Sequence, residues 1–449
     1  MEIFLKEIAT KLDSFDIYSA FKEEKNISFL DSTMDPDNLG RYSFIGVKPF
    51  LVLKGRKDEC YINNVKHNCD VFDKLGEILS KYKIKNSTGI PFIGGCIGYL
   101  SYDLGIILED IKANLDEDIL LPHYYFIFYD NLIVFDNKLG KKYISACGIL
   151  NDPHKSIKDI EKVILKQKIQ EAGYMKTGAA SFTSNFTKDS YVKTVGKARE
   201  YIRSGDIYIA NLSQRFTVKT NKDAYDIYRD LRVINPAPFA AFMRLEDFDI
   251  ISSSPERFLK VRDGKVETRP IKGTRPRGKD KEEDLHYRNE LLNSEKDKAE
   301  LLMIVDLERN DLSKVCKPHS VKVTELFKLE EYSTVFHLVS TVIGTLKDNT
   351  DAIQCLKKCF PGGSITGTPK IRAMEIIDEL EKLKRSLYTG SIGYFSFDGN
   401  ADFNIIIRTI IKKDDNVYFG VGGGITWDSD EEAEYQETLD KAKALIKVI

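Results

Sequence analysis

Residues 402–411 read Asp-Phe-Asn-Ile-Ile-Ile-Arg-Thr-Ile-Ile. As a strand they place Ile406, Arg408 and Ile410 on one face and Phe403, Ile405, Ile407, Thr409 and Ile411 on the other. Arg408 is then a cation among isoleucines. A buried unpaired charge is costly, so the guanidinium needs an anion: an internal Asp or Glu, or an acidic ligand. Glu300 poses the converse problem. In a helix over 294–312 it shares a face with Ile304, Leu307 and Asp311, beside Leu301, Leu302, Met303 and Val305. Such a carboxylate is ion-paired, hydrogen-bonded or metal-bound, and the charges of residues 306–311 are dense enough to supply internal pairs. A last helix over 430–449 carries Glu434, Glu437 and Lys441 opposite a stripe of Tyr435, Leu439, Ala442, Ile446 and Ile449. Glu437 and Lys441 are four apart, the spacing of a solvated surface pair.

Glycine clusters mark close backbone approach or positive φ. One covers 361–367, Pro-Gly-Gly-Ser-Ile-Thr-Gly, and runs through Thr368-Pro369 into a helix, a possible anion site. It lacks the Gly-Lys-Ser/Thr ending of a Walker A loop, so nucleotide binding is weakly supported. A second is Gly422-Gly423-Gly424. The third surrounds Lys272 in Arg269-Pro270-Ile271-Lys272-Gly273-Thr274-Arg275-Pro276-Arg277-Gly278, whose prolines and glycines hold the backbone more firmly than a solvated basic loop requires.

The elements that must position these residues fall into two stretches. Up to about residue 150 the chain shows strand-like runs at 42–47, 50–54, 91–99, 124–135 and 142–146. A linker rich in Gly, Ala, Ser, Thr and Lys follows over 171–188, dividing an N-terminal region, 1–170, from a C-terminal region, 189–449. The latter mixes helices (190–204, 294–312, 351–360, 369–383, 430–449) with strands (208–218, 239–245, 258–261, 391–397, 403–411, 417–421). Strands and helices without strict alternation argue for an α+β fold. Residues 97–103, Ile-Gly-Tyr-Leu-Ser-Tyr-Asp, echo 392–398, Ile-Gly-Tyr-Phe-Ser-Phe-Asp. The echo is either a pair of equivalent strands in one core or coincidence.

The 449 residues carry 67 Lys plus Arg against 69 Asp plus Glu, a net charge of −2. That balance gives no case for nucleic acid or an anionic membrane as partner, so an acidic substrate must be met by a local basic site. No apolar run reaches the length of a membrane helix, and no secretory signal is read at the N-terminus. The seven cysteines are scattered without a Cys-x-x-Cys pair, and reduced thiols in a cytoplasmic protein are expected, with Cys355 and Cys359 as helix packing.

Taken together the motifs resemble those of the chorismate-utilising enzymes, over nearly the whole chain. The N-terminal resemblance rests on Phe29-Leu30-Asp31-Ser32, Gly40 to Phe44 and Gly94 to Tyr99. The C-terminal one rests on Gly205 to Tyr208, Asn211 to Phe216, Ser254 to Phe258, Pro270 to Gly278, Asp306 to Asp311, Phe336 to Ser340, Phe360 to Lys370 and Glu434 to Thr438. It implies a large composite of antiparallel β-sheets packed as a sandwich with flanking helices. Within the family, Pro-Ile-Lys-Gly-Thr and Phe-Pro-Gly-Gly-Ser-Ile-Thr-Gly resemble the aminodeoxychorismate-forming branch (component I). Anthranilate synthases carry Ala at the Lys272 position. Isochorismate and salicylate synthases carry a lysine base where this chain has Ile209.

The resemblance implies that Lys272 adds to the chorismate ring at C2, expelling the 4-hydroxyl, and that ammonia then displaces it. A nucleophilic lysine must be neutral, which burial or cationic neighbours favour, and Arg269, Arg275 and Arg277 are close in sequence. Glu256 matches the general acid/base, and His337 a histidine important in the anthranilate branch. Mg²⁺ is implied on the substrate's ring carboxylate, with Glu300 and Glu437 as ligands and Glu434 nearby. Substrate contacts fall on Gly273, Thr274, Tyr388, Arg408 and Gly422, Gly423 and Gly424, the three glycines acting as a backbone nest. A tryptophan pocket is implied by Ser32, Arg41, Tyr42, Ser43, Phe44, Pro238, Phe239 and Ala240. The chain departs from the family at Asp31, where Glu is usual, at Ile209, where Gln is commoner, and at Thr368, where Ala is commoner.

Cys96 alone has Gly-x-Cys-x-Gly spacing, in Gly94-Gly95-Cys96-Ile97-Gly98, a stretch the resemblance already assigns to the chorismate-utilising enzymes, so a separate glutaminase subunit (component II) is expected to supply ammonia. The expected activity is conversion of chorismate to 4-amino-4-deoxychorismate for 4-aminobenzoate and folate synthesis. The alternatives are anthranilate synthase component I, feeding tryptophan synthesis, and a non-catalytic tryptophan-sensing homologue.

Overall fold

The strand-like runs of the first 150 residues become long antiparallel strands. The computed structural model describes residues 3–57, 59–113, 115–169, 181–332 and 335–449. Runs 42–47 and 50–54 are one strand, Tyr42–Arg56, bent between Pro49 and Leu51 where Lys48 takes a positive φ. It pairs along Tyr124–Asp136, every residue of which is buried. All ladders among the described strands are antiparallel, and they join into one hydrogen-bonded network flanked by helices. The fold is therefore α+β, and the expected sheets are continuous with one another.

The period of two along each strand sorts side chains into separate cores. In Phe239–Arg244, Ala241 and Met243 face the larger core and Phe242 a second one. In the neighbouring strand Asp249–Ser254, Ile250 and Ile251 divide the same way. The helices Pro153–Lys166, Ala224–Ile234 and Glu431–Ile446 close the second core with Ile157, Ile160, Ile164, Ile227, Leu231, Ala442 and Leu445.

The echoed segments are direct neighbours. Gly95–Leu100 pairs with Ser391–Ser396, with Gly98 opposite Gly393. A Cβ on Gly98 would lie 2.2 Å from the Tyr125 carbonyl oxygen, and one on Gly393 2.1 Å from that of Asp402, so both positions exclude any side chain. This ladder ties the N-terminal strands to the C-terminal region. Residues 171–180 of the expected linker lie outside the described residues.

All five helices expected in the C-terminal stretch form; four start at a residue whose side chain caps the first turn, and Lys370–Leu380 follows Pro369 without a side-chain cap. Ser294, Asp351 and Asp430 accept from backbone N–H groups three residues on, as does Thr187 before the helix Lys188–Arg203. Helices at 14–19, 71–81, 102–108, 153–166, 224–234 and 281–293 appear where no helix was expected. Among the described residues no helix is long and apolar enough to cross a membrane.

Two expectations are corrected. The strand over 403–411 is broken into Ala401–Asn404 and Thr409–Lys413. Ile405 N–H donates to the Glu256 carbonyl, Thr389 N–H to that of Ile406, and Arg408 takes a φ of 52°. Tertiary partners for the backbone outweigh the β-branched run. The thiols are not all free either: Cys60 and Cys69 form a disulfide with Cα atoms 6.1 Å apart. The hairpin of Glu59–Ile62 and Val65–Asn68 sets Cys60 opposite His67, bringing Cys69 within reach. The other five cysteines, including Cys355 and Cys359, are free and buried.

Candidate active site

Lys272 lies on the strand Ile271–Pro276, paired with Val335–Thr345. The register slips between Ile271 and Thr274, where Gly273 takes a φ of 79°. A Cβ there would also meet Leu291 and Asp297 at 2.8–3.0 Å. Glycine thus permits a bulge that re-aims Lys272. Its Nζ donates to the Ser364 carbonyl at 3.1 Å. The Ser364 hydroxyl donates to Glu256, which sits buried between Asp249–Ser254 and Arg257–Arg262. Burial raises the Glu256 carboxyl above its usual range, against the opposing pull of Ser364 and Lys272. A carboxyl whose hold on its proton is strengthened by burial, beside a lysine, is suited to donating a proton to a leaving group.

Behind this pair, Glu308 on the helix Glu295–Val315 anchors the turn Gly363–Ile365 that carries Ser364. One carboxylate oxygen accepts Gly363 N–H at 3.0 Å and the other the Thr268 hydroxyl at 3.3 Å. Burial, then the like charge of Asp311, pushes Glu308 up to about 7. His337 is buried on the strand facing Lys272, and its Nδ1 is 2.9 Å from the Thr274 hydroxyl. Burial and the Arg408 cation lower it to about 4, so its imidazole is neutral near pH 7.

Arg408 has no carboxylate in ion-pair range among the described residues. Its one bond is to the Lys441 carbonyl, at 2.5 Å. Burial depresses its pKa, partly offset by Tyr388 and Glu437. Of the two readings open from its sequence, the internal ion pair is absent. Tyr388 packs its ring over Gly420, where a Cβ would meet the ring at 2.3 Å.

Gly422, Gly423 and Gly424 lie in the extended strand Asn416–Ile425, paired with Leu212 and its neighbours, and none has a positive φ. They do not form the expected nest. Their contribution is the absence of side chains. A Cβ on Gly424 would sit 3.4 Å from Lys272 Nζ and 3.6 Å from Glu300 Oε2; one on Gly423 would sit 3.0 Å from Glu434 Oε2 and 3.4 Å from Glu437 Oε1. Glu300 thus lies against Gly424, and the two C-terminal glutamates against Gly423, one residue along the same strand. Lys296 lies between them, 4.0 Å from Glu300 and 3.7 Å from Glu434. Lys441 pairs with Glu437 at 2.5 Å and donates to the Gly422 carbonyl at 2.8 Å. The pair read as a surface feature thus borders the site.

Burial raises Glu300 and Glu434 above the usual carboxylate range. Burial acts on Glu437 too, but the Lys441 ammonium wins and holds it below that range. Glu434 Oε2 is buried without a hydrogen-bond partner. Hard carboxylate oxygens, one of them orphaned, around a lysine ammonium are a donor set that fits Mg²⁺. Among the described residues, Asp103, Glu117 and His123 also bring ligand-type atoms within 4.8 Å of one another. There, however, Glu117 is held by Arg56 and Lys384, and His123 Nδ1 accepts Lys57 N–H, leaving the proton on Nε2. That arrangement disfavours a metal.

The arginines near Lys272 are not free cations. Arg269 pairs with Glu330 at 2.5 Å, Arg275 with Glu290 at 2.7 Å and Asp297 at 3.0 Å, and Arg277 with Asp284 at 2.6 Å. Their field at the lysine is largely cancelled, because each charge is matched at contact distance. Ile209 is buried with Cδ1 3.1 Å from the Gly424 Cβ position, and the Thr368 hydroxyl beside it is buried without a partner.

A second cavity, of about 170 Å³, lies between the halves. Ser32, Arg41, Tyr42, Phe44, Pro238, Phe239 and Ala240 line it, with Gly393 and Tyr394 of the echoed strand. Ser43 stands behind, its hydroxyl accepting Ser32 N–H at 3.0 Å. Asp31 does not reach it; it is engaged by Arg232 and the Tyr228 hydroxyl, each at 3.0 Å.

Residues 26–447 match the chorismate binding enzyme family. The chain belongs to that family. Among its relatives, anthranilate synthase component 1 of Acetivibrio thermocellus is 39% identical, over 96% of this chain and 92% of that one. Aminodeoxychorismate synthase component 1 of Escherichia coli (strain K12) is 41% identical, over 91% and 89%. The crystal structure of anthranilate synthase component I from Streptococcus pneumoniae TIGR4 superposes with a TM-score of 0.83 at 32% identity, covering 98% of this chain and 100% of that one.

For a chorismate binding enzyme the structure adds residues that sequence reasoning passed over. Ser364 stood inside a quoted motif but gave no sign of touching both Lys272 and Glu256. Glu308 was counted among residues making internal ion pairs. Lys296 carried no signal except its spacing of four from Glu300.

Proposed function

We propose that this chorismate-utilising chain is the large subunit of an aminodeoxychorismate synthase. The observation that carries the reading is Lys272 Nζ beside the Gly424 backbone, with Glu256 linked to it through Ser364. A primary amine next to a carboxyl that can give and take a proton is what two successive displacements require. In the first, the Nζ–C2 bond forms and the C4–O bond breaks. Glu256 gives its proton to the departing hydroxyl, which leaves as water, and regains one from the Nζ ammonium. In the second, ammonia forms the C4–N bond and the C2–Nζ bond breaks. Glu256 protonates the departing Nζ and recovers a proton from the new C4 ammonium. The net change is chorismate plus ammonia to 4-amino-4-deoxychorismate plus water, with the enolpyruvyl group retained.

Arg408, without a carboxylate in ion-pair range among the described residues, is suited to a substrate carboxylate, and Tyr388 and Thr274 border the same space. Glu300 and Glu437, with Glu434, would hold Mg²⁺, which supplies charge neutralisation at the ring carboxylate when bound. Ammonia would come from a glutaminase subunit in the cytoplasm, and the cavity at Ser32 and Ala240 would take tryptophan.

The test is a product assay with the purified chain, chorismate, Mg²⁺ and an ammonium salt at mildly alkaline pH, read by mass spectrometry. An amine-substituted product retaining the enolpyruvyl group supports the reading. Anthranilate plus pyruvate overturns it in favour of the tryptophan branch, and no conversion with a cognate glutaminase favours the sensing role.

A further inference from the structure

Asn211 lies where the reactive face meets a second wall of the protein. On the strand Ile209–Lys219 it is in register with Gly424. Paired residues of antiparallel strands project to the same face, with Cβ positions about 5 Å apart. That face is the one on which Lys272 Nζ and Glu300 Oε2 converge, and Ile209, diagonal to Gly424, closes it. Asn211 is only 9% exposed, and its Oδ1 has no hydrogen-bond partner. An unsatisfied buried acceptor costs on the order of 1–3 kcal/mol, and native proteins tolerate few of them. The site therefore calls for a donor from outside the chain.

Nearby donors are already engaged. Lys272 Nζ is on the Ser364 carbonyl. Arg385 donates to Glu381, to the Ile365 carbonyl at 3.0 Å and to the Asn211 carbonyl. Asn211 N–H donates to the Thr366 carbonyl at 2.8 Å, and Ser213 gives both its N–H and hydroxyl to Glu381. These bonds fix the backbone, so the amide cannot leave its position cheaply. The Glu381–Arg385 pair lines, on its other side, a cavity of about 340 Å³ into which the buried, unpartnered His123 Nε2 and Tyr102 hydroxyl also face. A small polar molecule arriving from that side would meet hydrogen-bonding groups without passing the chorismate position.

Ammonia suits this acceptor. One N–H satisfies Oδ1 while the lone pair stays free to attack, whereas the carboxylates of chorismate are themselves acceptors. We propose that Asn211 Oδ1 binds the ammonia nucleophile beside Lys272. The assignment rests on the amination reading above and deepens it.

The experiment uses the full chain with chorismate, Mg²⁺ and varied ammonium chloride, comparing Asn211→Ala with Asn211→Asp, which keeps an oxygen in place. The expected result for Asn211→Ala is an ammonia KM raised about tenfold or more, with the chorismate KM within about twofold. Intact-mass measurement without ammonia should show the parent's Lys272 adduct undiminished, and Asn211→Asp should recover most of the ammonia affinity. An unchanged ammonia KM overturns the proposal. So does a parallel loss of adduct, because Asn211 would then serve Lys272 or chorismate. If Asn211→Ala fails to fold, Asn211→Ser carries the same comparison. A parent chain that forms neither adduct nor aminated product overturns the amination reading itself, and this proposal with it.

Discussion

Lys272 and Glu256 are held by a single residue: Ser364 receives the lysine Nζ on its carbonyl and gives its hydroxyl to the glutamate. The two groups that must exchange protons with the same substrate thus have a fixed relation. The Ser364 hydroxyl favours ionised Glu256, against the larger effect of burial. Ser364→Ala should therefore raise the Glu256 carboxyl further. The expected outcome is a kcat lowered about tenfold or more, with the alkaline limb of its pH profile moved up. A profile unmoved between pH 6 and 9 would show that Glu256 does not titrate in catalysis.

Lys272→Ala removes the nucleophile and leaves Glu256, Arg408 and the carboxylates in place. Formation of the aminated product should fall by at least about 10³-fold, and the intact-mass adduct should vanish. Chorismate binding measured by calorimetry should persist, because Arg408 is held by Lys441 rather than by Lys272. Product at near-parental rates would exclude a covalent lysine step.

Much of this site was legible where the signal is local. The helix carrying Glu300 begins at its capping Ser294, and Lys272 stands in a stretch whose glycine fixes a bulge. Features set by distant partners were not. Arg408 looked like a strand residue because five isoleucines surround it, yet hydrogen bonds from Ile405 to Glu256 and from Thr389 to Ile406 break the strand. Arg269 and Arg275 looked like free cations because their partners, Glu290, Asp297 and Glu330, lie 15 to 61 residues away. Cys60 and Cys69 showed no motif because a hairpin, rather than spacing, joins them.

Lys296 stands between Glu300 and Glu434, where a metal ion would compete with it. Its side chain is 48% exposed, so leaving the position is cheap. Glu300→Gln and Glu437→Gln should each raise the Mg²⁺ concentration for half-maximal activity about tenfold or more. Lys296→Ala should lower it, because one competing cation is gone. A calorimetric Mg²⁺ titration with chorismate present checks both. A lysine variant that binds Mg²⁺ more weakly would mean that Lys296 assists the substrate rather than competing.

Filling the cavity at Ala240 separates a tryptophan site from a void. If L-tryptophan occupies it, the amino acid should raise the melting temperature of the parent with a concentration dependence. Ala240→Leu should abolish that shift, at an overpacking cost of about 1–3 kcal/mol. An identical shift in the variant places tryptophan elsewhere.

Glu308 and His337 should tilt stability with pH in opposite directions. Burial and Asp311 push Glu308 up to about 7 in the folded chain, against about 4.5 unfolded. Between those values the folded state binds more protons, so this group's contribution falls as pH rises, by up to roughly 3 kcal/mol. His337 sits at about 4 when folded, against about 6.5 unfolded. There the unfolded state binds more protons, so its contribution is fully present above pH 6.5 and is lost as pH falls toward 4. Glu308→Gln can keep both bonds, with its oxygen on Gly363 N–H and its nitrogen donating to Thr268. Relative to the parent it should gain stability at pH 8 and little at pH 5. His337→Asn should lose more stability at pH 8 than at pH 5. Urea midpoints at the two pH values decide it. Parallel slopes in the two variants would mean that one of these groups is not buried in the state its surroundings impose.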